Sequence, residues 1–221
     1  MIDLLLKYPT RGRPEIFRRV LSDYISKLSG KHNVKFIISM DTNDDSCNND
    51  MMRNFLNDTK LKVNLEYYYG NSKNKIDACN RDIPNDGWKV SILISDDMEP
   101  QIQGFDRIIL EDMNNHFPDL DGVLNYNCGG HAYPVVMVMS VVGNVYYKRF
   151  NFIYHPDYVS LFCDEEQTAI ARLLNKIVDI DNKIIKHDWI AIKDSLRKYT
   201  ETFYQRDKLV FESRKQRGFP L

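Results

Sequence analysis

The sequence predicts an α/β domain with a mostly parallel central sheet flanked by helices, followed by a C-terminal helical tail, and three observations carry that expectation. Short apolar runs alternate with segments of helical periodicity along most of the chain. The run Val90-Ser91-Ile92-Leu93-Ile94 is almost unbroken, as a strand buried on both faces requires. Polar turns follow the apolar runs at their C-terminal ends, where parallel sheets bind their ligands.

The elements follow in order. Residues 4–6 read as a buried strand, ended by the turn Tyr8-Pro9-Thr10-Arg11-Gly12-Arg13-Pro14. Phe17, Val20, Leu21, Tyr24, Ile25 and Leu28 then recur at three- and four-residue spacing, with Pro14 in the first turn where its missing N–H costs nothing. Residues 34–40 are a second strand, broken by the polar cluster Asp41-Thr42-Asn43-Asp44-Asp45-Ser46, and Val63, Leu65 and Tyr67 alternate as a third. Residues 51–56 fit a short helix between them, and residues 76–83 another before the strand that stops at Ser95-Asp96-Asp97. Beyond residue 105 the pattern is a helix to about Phe117, a strand over 123–126, an apolar run over 135–142 and a helix over 143–149. A helix after Asp164 places Ile170, Leu173, Leu174 and Ile177 on one face, and 183–189 are strand-like. A last helix of mixed charge starts at about Ile190 and is expected to pack as an appendage. There is no internal repeat or low-complexity segment.

At 221 residues the chain suits one α/β domain with a tail, and 43% hydrophobic with 28% charged residues is enough to bury a core. The formal net charge of −1 gives no overall attraction to phosphate backbones, so nucleic-acid contact would need a local basic patch. Cys47, Cys79, Cys128 and Cys163 make no CxxC pair and read as reduced thiols. The opening Met-Ile-Asp-Leu-Leu-Leu has no basic leader, and no apolar stretch approaches the roughly 20 residues that span a bilayer. The expectation is a soluble cytoplasmic protein, in the host cytoplasm if it is viral.

Two adjacent carboxylates at the end of a buried strand are costly unless neutralised, and such hard oxygen ligands suit Mg²⁺ or Mn²⁺ bridging to phosphates. Asp96 and Asp97 are therefore the leading site residues, with a helix cap or solvated turn as the structural alternative. His187 could complete a metal shell begun by a carboxylate, or be a packed histidine. Asp164 and Gln167 have capping-box spacing, while a carboxylate in Asp164-Glu165-Glu166 could equally serve as general base. Thr10, Arg11 and Arg13 in the first turn, with Lys73, Lys75 and Arg81 later, could hold a diphosphate or form a solvated face.

In this order the features resemble the inverting family-two glycosyltransferases of the GT-A fold over roughly residues 1 to 190. Pro9-Thr10-Arg11-Gly12-Arg13-Pro14 is similar to the family's first nucleotide-contacting turn, and Asp41 to the acidic residue that meets the base. Asp77-Ala78-Cys79-Asn80-Arg81-Asp82-Ile83 resembles the alanine–arginine–asparagine helix beside the donor, with Asp82 in place of a common glycine and an altered residue order. Ile94-Ser95-Asp96-Asp97-Met98-Glu99-Pro100 resembles the metal-binding acidic motif, with Met98 where many relatives carry a further aspartate.

Phe162-Cys163-Asp164-Glu165-Glu166 resembles the motif that supplies the base, and His187 the late metal-binding histidine. The resemblance implies a Rossmann-type GT-A-like domain over residues 1–189, its nucleotide half about 1–100 and its acceptor half about 101–189, with a helical extension over 190–221. It implies a metal-dependent glycosyltransferase using Mn²⁺ or Mg²⁺ and a nucleotide sugar, with uridine diphosphate as the default carrier. The implied roles are base for Asp164 or Glu165, metal ligands for Asp97 and His187, and donor contacts for Pro9, Thr10, Arg11, Arg13, Asp41, Lys75, Asn80, Arg81 and Asp96.

The acceptor is expected to be a saccharide, with hydroxymethylated bases of viral DNA as the alternative. The tail cations Arg197, Lys198, Arg206, Lys208, Arg214, Lys215 and Arg217 offer a phosphate-contacting surface diluted by Glu201, Asp207 and Glu212. A nucleotidyltransferase would instead release pyrophosphate, and a non-catalytic nucleotide-sugar-binding protein would bind nucleotide without regard to metal.

Overall fold

A computed structural model describes residues 1–129, 133–188 and 194–220. The elements are β1 (Ile2–Pro9), α1 (Pro14–Ser26), β2 (Val34–Asp41), α2 (Asp50–Lys60), β3 (Asn64–Gly70), α3 (Lys75–Asn80), β4 (Trp88–Leu93), β5 (Met98–Pro100), α4 (Phe105–His116), β6 (Val123–Tyr126), β7 (Val141–Gly143), α5 (Asn144–Tyr147), α6 (Cys163–Leu173), β8 (Ile177–Ile180), β9 (Ile185–His187), α7 (Ser195–Glu201) and α8 (Tyr204–Gln216). Among the described residues a seven-stranded sheet has the order β3-β2-β1-β4-β7-β6-β8, and β5 pairs with β9 in a separate two-stranded sheet. All pairs of the large sheet are parallel except those of β7, which runs antiparallel to β4 and β6.

Side chains alternate across the pleat, so β1 faces two layers at once. Leu4, Leu6 and Tyr8 pack on the layer of α1, α2 and α4 with Phe17, Leu21, Leu56, Phe105 and Ile109. Leu5 faces the opposite layer, with Ile76 of α3, Tyr146 and Tyr147 of α5, and Cys163 and Ala171 of α6. Each such fully buried apolar side chain contributes about 2 kcal/mol relative to exposure. Lys7 continues the second face and is buried too, its ammonium donating to Ser39 Oγ, which donates to Asp82 Oδ2 at 2.6 Å. Burial pushes the Lys7 pKa down to about 8 despite the Asp82 charge.

The structure revises several sequence expectations. The helix after Asp164 ends at Leu173, and Ile177 begins β8. Leu173 and Leu174 are exposed, whereas Cys163, Glu166, Gln167, Thr168 and Ala171 are buried. The buried face is chosen by hydrogen bonding: Gln167 Nε2 donates to Ser140 Oγ and the Ile153 carbonyl, at 2.8 and 3.1 Å. Phe162, at φ 63°, occupies the N-cap position, so Asp164 and Gln167 form no capping box. The helix expected over 76–83 ends at Asn80, and Asp82 takes φ 67°, the left-handed conformation that a glycine adopts without strain.

The start of the tail helix expected at Ile190, like Trp189, lies outside the described residues. From Ser195 onward the tail forms two helices, α7 and α8, and α8 is anchored by charge. Arg214 of α8 donates to Glu166 of α6, and Asp207 accepts the backbone N–H groups of Val159, Ser160 and Leu161. All four cysteines are free and buried. Among the described residues no helix is long and apolar enough to cross a membrane.

Candidate active site

The parallel strands β1, β2, β3 and β4 end on one edge, and strand order reverses between β1 and β4. Adjacent loops therefore part at that point and leave a crevice, the place where open α/β sheets bind ligands. The turn Pro9 to Arg13 leaves β1 on one side of the crevice, and Asp96 and Asp97 leave β4 on the other.

Thr10 and Asp96 close the base of this crevice. Asp96 is 5% exposed and accepts from Tyr8 Oη at 3.0 Å and from Thr10 Oγ1 at 3.2 Å. Burial raises its pKa to about 7, against the stabilising pull of Tyr8, Arg13 and Thr10. Asp97, one residue on, is pushed the opposite way. Burial alone would raise it too, but His187, Ser95 and Lys75 outweigh burial and hold it well below the usual carboxylate range. Neighbouring acids driven apart in this way carry different charges at neutral pH, as sites that bind or react often arrange.

His187 reaches Asp97 through the small sheet. Met98 is the register partner of His187, the Asp188 N–H donates to the Asp97 carbonyl at 2.8 Å, and the His187 N–H donates to the Cys128 carbonyl at 2.9 Å. The imidazole Nε2 stands 3.5 Å from Asp97 Oδ2, with the two side chains 19% and 20% exposed. An oxygen and a nitrogen ligand thus lie side by side at a partly open position. Among the described residues no cluster of three His, Cys, Asp or Glu side chains gathers to hold an ion.

Lys75 and Asp164 belong to the same electrostatic neighbourhood. Burial opposes the Lys75 charge, but Cys163, Cys79, Asp164 and Asp97 together raise its pKa above the ordinary lysine value. Lys75 is nonetheless solvent-exposed. Asp164, in the first turn of α6, has its pKa raised by burial and partly restored by Lys75 and His187. Glu165 is raised by burial and by Asp164, and the cation that bears on it is Lys215 of α8. The two acids therefore face different surroundings.

Asp41, at the end of β2, accepts from Arg11 Nη1 at 2.6 Å and from the Ser72 N–H at 3.1 Å. Arg11 also donates to Asn43 and remains 42% exposed. Asn80 and Arg81 lie nearby with their polar groups engaged in the framework. Asn80 Oδ1 accepts the N–H groups of Ile153 and Tyr154, and its amide donates to the Tyr154 carbonyl. Arg81 donates to Ser72, Asp82 and the Met40 carbonyl, and a Cβ on Gly70 would come within 2.7 Å of its Nη1. Arg13 is held by Asp194, Nε to Oδ2 at 2.6 Å and Nη2 to Oδ1 at 3.1 Å.

Sequence reasoning passed over Lys7, Tyr8, Ser72, Ser95 and Asp194 as parts of this edge. A lysine directly after a buried Leu-Leu-Leu run was a usable signal, because a strand buried on both faces has no solvent for it. Asp194 offered none, since its partner lies 181 positions away.

No protein-family model matches the chain, and no curated protein matches its sequence. Solved structures do. S. aureus TarS superposes with a TM-score of 0.65 at 14% identity, over 83% of this chain and 36% of that one. Residues 1–349 of TarS in complex with UDP give 0.65 at 14% identity, over 83% and 59%. The mannosyltransferase PcManGT from Pyrobaculum calidifontis, in complex with GDP-Man and Mn²⁺, gives 0.64 at 10% identity, over 84% and 58%. The chain thus spans about a third to three-fifths of the length of these structures. The α/β fold of this chain is the GT-A-like fold of these structures.

Proposed function

We propose that the chain transfers a sugar from a nucleoside-diphosphate sugar to an acceptor hydroxyl, with inversion at the anomeric carbon and with a divalent metal. The observation that carries this reading is the meeting of Asp97 and His187 at the crevice, beside Lys75 and Asp164. The fold shared with TarS and PcManGT supports it, as do the UDP in one and the GDP-Man and Mn²⁺ in the other.

The donor set fits a small hard cation. Asp97 and His187 would hold it, and a mixed oxygen and nitrogen pair suits Mn²⁺, with substrate phosphates and water as the further ligands. When bound, the ion would neutralise charge growing on the departing nucleoside diphosphate. Lys75 and Arg13 bring fixed positive charge to the same leaving group, and Asp41 with Arg11 forms the polar wall for the base. Asp164 takes the proton from the acceptor oxygen as that oxygen bonds to the anomeric carbon and the bond to the diphosphate breaks. Its raised pKa makes it a stronger base than an exposed aspartate. Glu165, on which Lys215 and not Lys75 bears, is the lesser choice.

The acceptor is read as a saccharide, the donor carrier as uridine diphosphate and the location as cytoplasmic. Hydroxymethylated viral DNA is the second acceptor reading, favoured by the exposed cations Lys198, Arg206, Lys208, Lys215 and Arg217 on α7, α8 and the turn after it. Arg214 adds nothing to that surface because Glu166 holds it inside.

A thermal-shift panel of UDP, GDP, UDP-GlcNAc and GDP-mannose with and without Mn²⁺ tests the reading, since a ligand that binds only the native state raises its apparent stability. One nucleotide should stabilise the protein in the presence of Mn²⁺ and lose that effect in Asp97→Ala. No shift with any of the four overturns it.

A further inference from the structure

The bidentate pair between Arg13 and Asp194 joins the turn after β1 to the start of α7, across 181 positions. Asp194 is also the N-cap of α7, where Oδ1 accepts the Arg197 N–H at 2.9 Å. Its carboxylate is thus fixed from both sides, by a helix it caps and by a guanidinium it grips. Arg13 is fixed in turn, with its side chain 13% exposed.

A guanidinium carries five N–H donors in a rigid plane. Asp194 takes one on Nε and one on Nη2, so it holds one edge of the fork. Both donors of Nη1 and the second of Nη2 point away from that edge. Arg13 stands in the turn that leaves β1 at the crevice, and Asp96 and Asp97 are the further charges that bear on it.

We propose that Asp194 is a positioning residue of the nucleotide site: by gripping one edge of Arg13 it aims the remaining N–H groups at the donor diphosphate, which makes the C-terminal segment part of that site. This rests on the sugar-nucleotide reading above. The physical gain is preorganisation. A free arginine loses much rotamer freedom when it binds phosphate, whereas an arginine already held by a carboxylate has lost it on folding.

Calorimetric titration of the full chain with UDP and with GDP, each with Mn²⁺, tests this in wild type, Asp194→Asn, Arg13→Ala and the double variant. Asparagine still caps a helix, so Asp194→Asn keeps α7 and removes only the carboxylate grip. Affinity for the nucleotide that wild type binds should fall about tenfold in Asp194→Asn and at least as far in Arg13→Ala. The double variant should bind no more weakly than Arg13→Ala alone, because Asp194 acts through Arg13. Recovery in Asp194→Glu, which restores the carboxylate, supports the same conclusion. Unchanged affinity in Asp194→Asn overturns the proposal, as does an equal loss in the Arg13→Ala background. Tighter binding in Asp194→Asn also overturns it, since Asp194 would then compete with the diphosphate for Arg13. Wild type that binds neither nucleotide overturns the sugar-nucleotide reading itself, and the proposal with it.

Discussion

Buried charge is handled differently at the crevice and under α8. Beneath α8, Glu166 accepts from Tyr158 Oη at 2.6 Å and from Arg214 Nε and Nη2 at 2.9 Å, and Asp207 accepts three consecutive backbone N–H groups. Both oxygens of each carboxylate there meet donors held by the fold. At the crevice, Asp97, Asp164 and Lys75 press on one another with proton affinities displaced from their ordinary values, and Asp97 keeps one-fifth of its side chain open. Charge satisfied on all sides holds a fold together, whereas displaced charge on an open wall is available to a ligand.

The sharpest way to break that contrast is Asp97→Ala. On the proposed role of Asp97 as a metal ligand, this change should lower metal-dependent transfer by about a thousandfold or more. Turnover near the wild-type value in a nucleotide-release assay would put Asp97 in the structural class. Asp164→Asn should come next, at about a hundredfold or more in kcat, as removal of a general base costs. Glu165→Gln should stay near wild type in the same assay, and the reverse order would move the base to Glu165.

Arg214→Ala probes the other region. It strands Glu166 without its cation and should cost about 3–5 kcal/mol in urea unfolding, the usual result of breaking a buried pair. The folded fraction should still bind nucleotide as wild type does. A large loss of affinity would show that the two regions are not independent.

Lys7 gives the smallest effect and lies between the two classes, being paired to Ser39 yet displaced in pKa. Its folded value of about 8 lies below the ordinary 10.5, so folding disfavours the charged form. That penalty is full below pH 8 and is relieved as pH rises toward 10.5, so wild-type stability should rise relative to Lys7→Met across this window. The ceiling is roughly 3 kcal/mol, at ~1.4 kcal/mol per unit. Parallel stability curves for the two proteins would mean that Lys7 is charged at no cost.

Much of the first hundred residues was legible because their signals are local. A both-faces-buried strand needs a continuous apolar run, and residues 90–94 supply one that ends at Ser95-Asp96-Asp97. Asp82 takes a left-handed backbone that a glycine would adopt without strain, which its residue type alone does not announce. The second half was less legible. The buried face of α6 is hidden from apolar periodicity because it carries Glu166, Gln167 and Thr168, which find partners on other elements. Periodicity counts apolar residues and is blind to polar groups that find partners in the interior.

Residue type and local order were enough to set the strands, the helices over them and the polar turns at one sheet edge, because pleat, helical period and turn chemistry act over a few neighbours. Which turns meet was settled by strand pairing. β9 lies in the stretch that reads as strand-like, but nothing local pairs it with the three-residue β5, and their register sets His187 beside Asp97. The same holds for Arg13 with Asp194 and for Glu165 with Lys215. These contacts join residues far apart in the chain, and only the closed sheet, with its helices docked, brings them within hydrogen-bonding or electrostatic range.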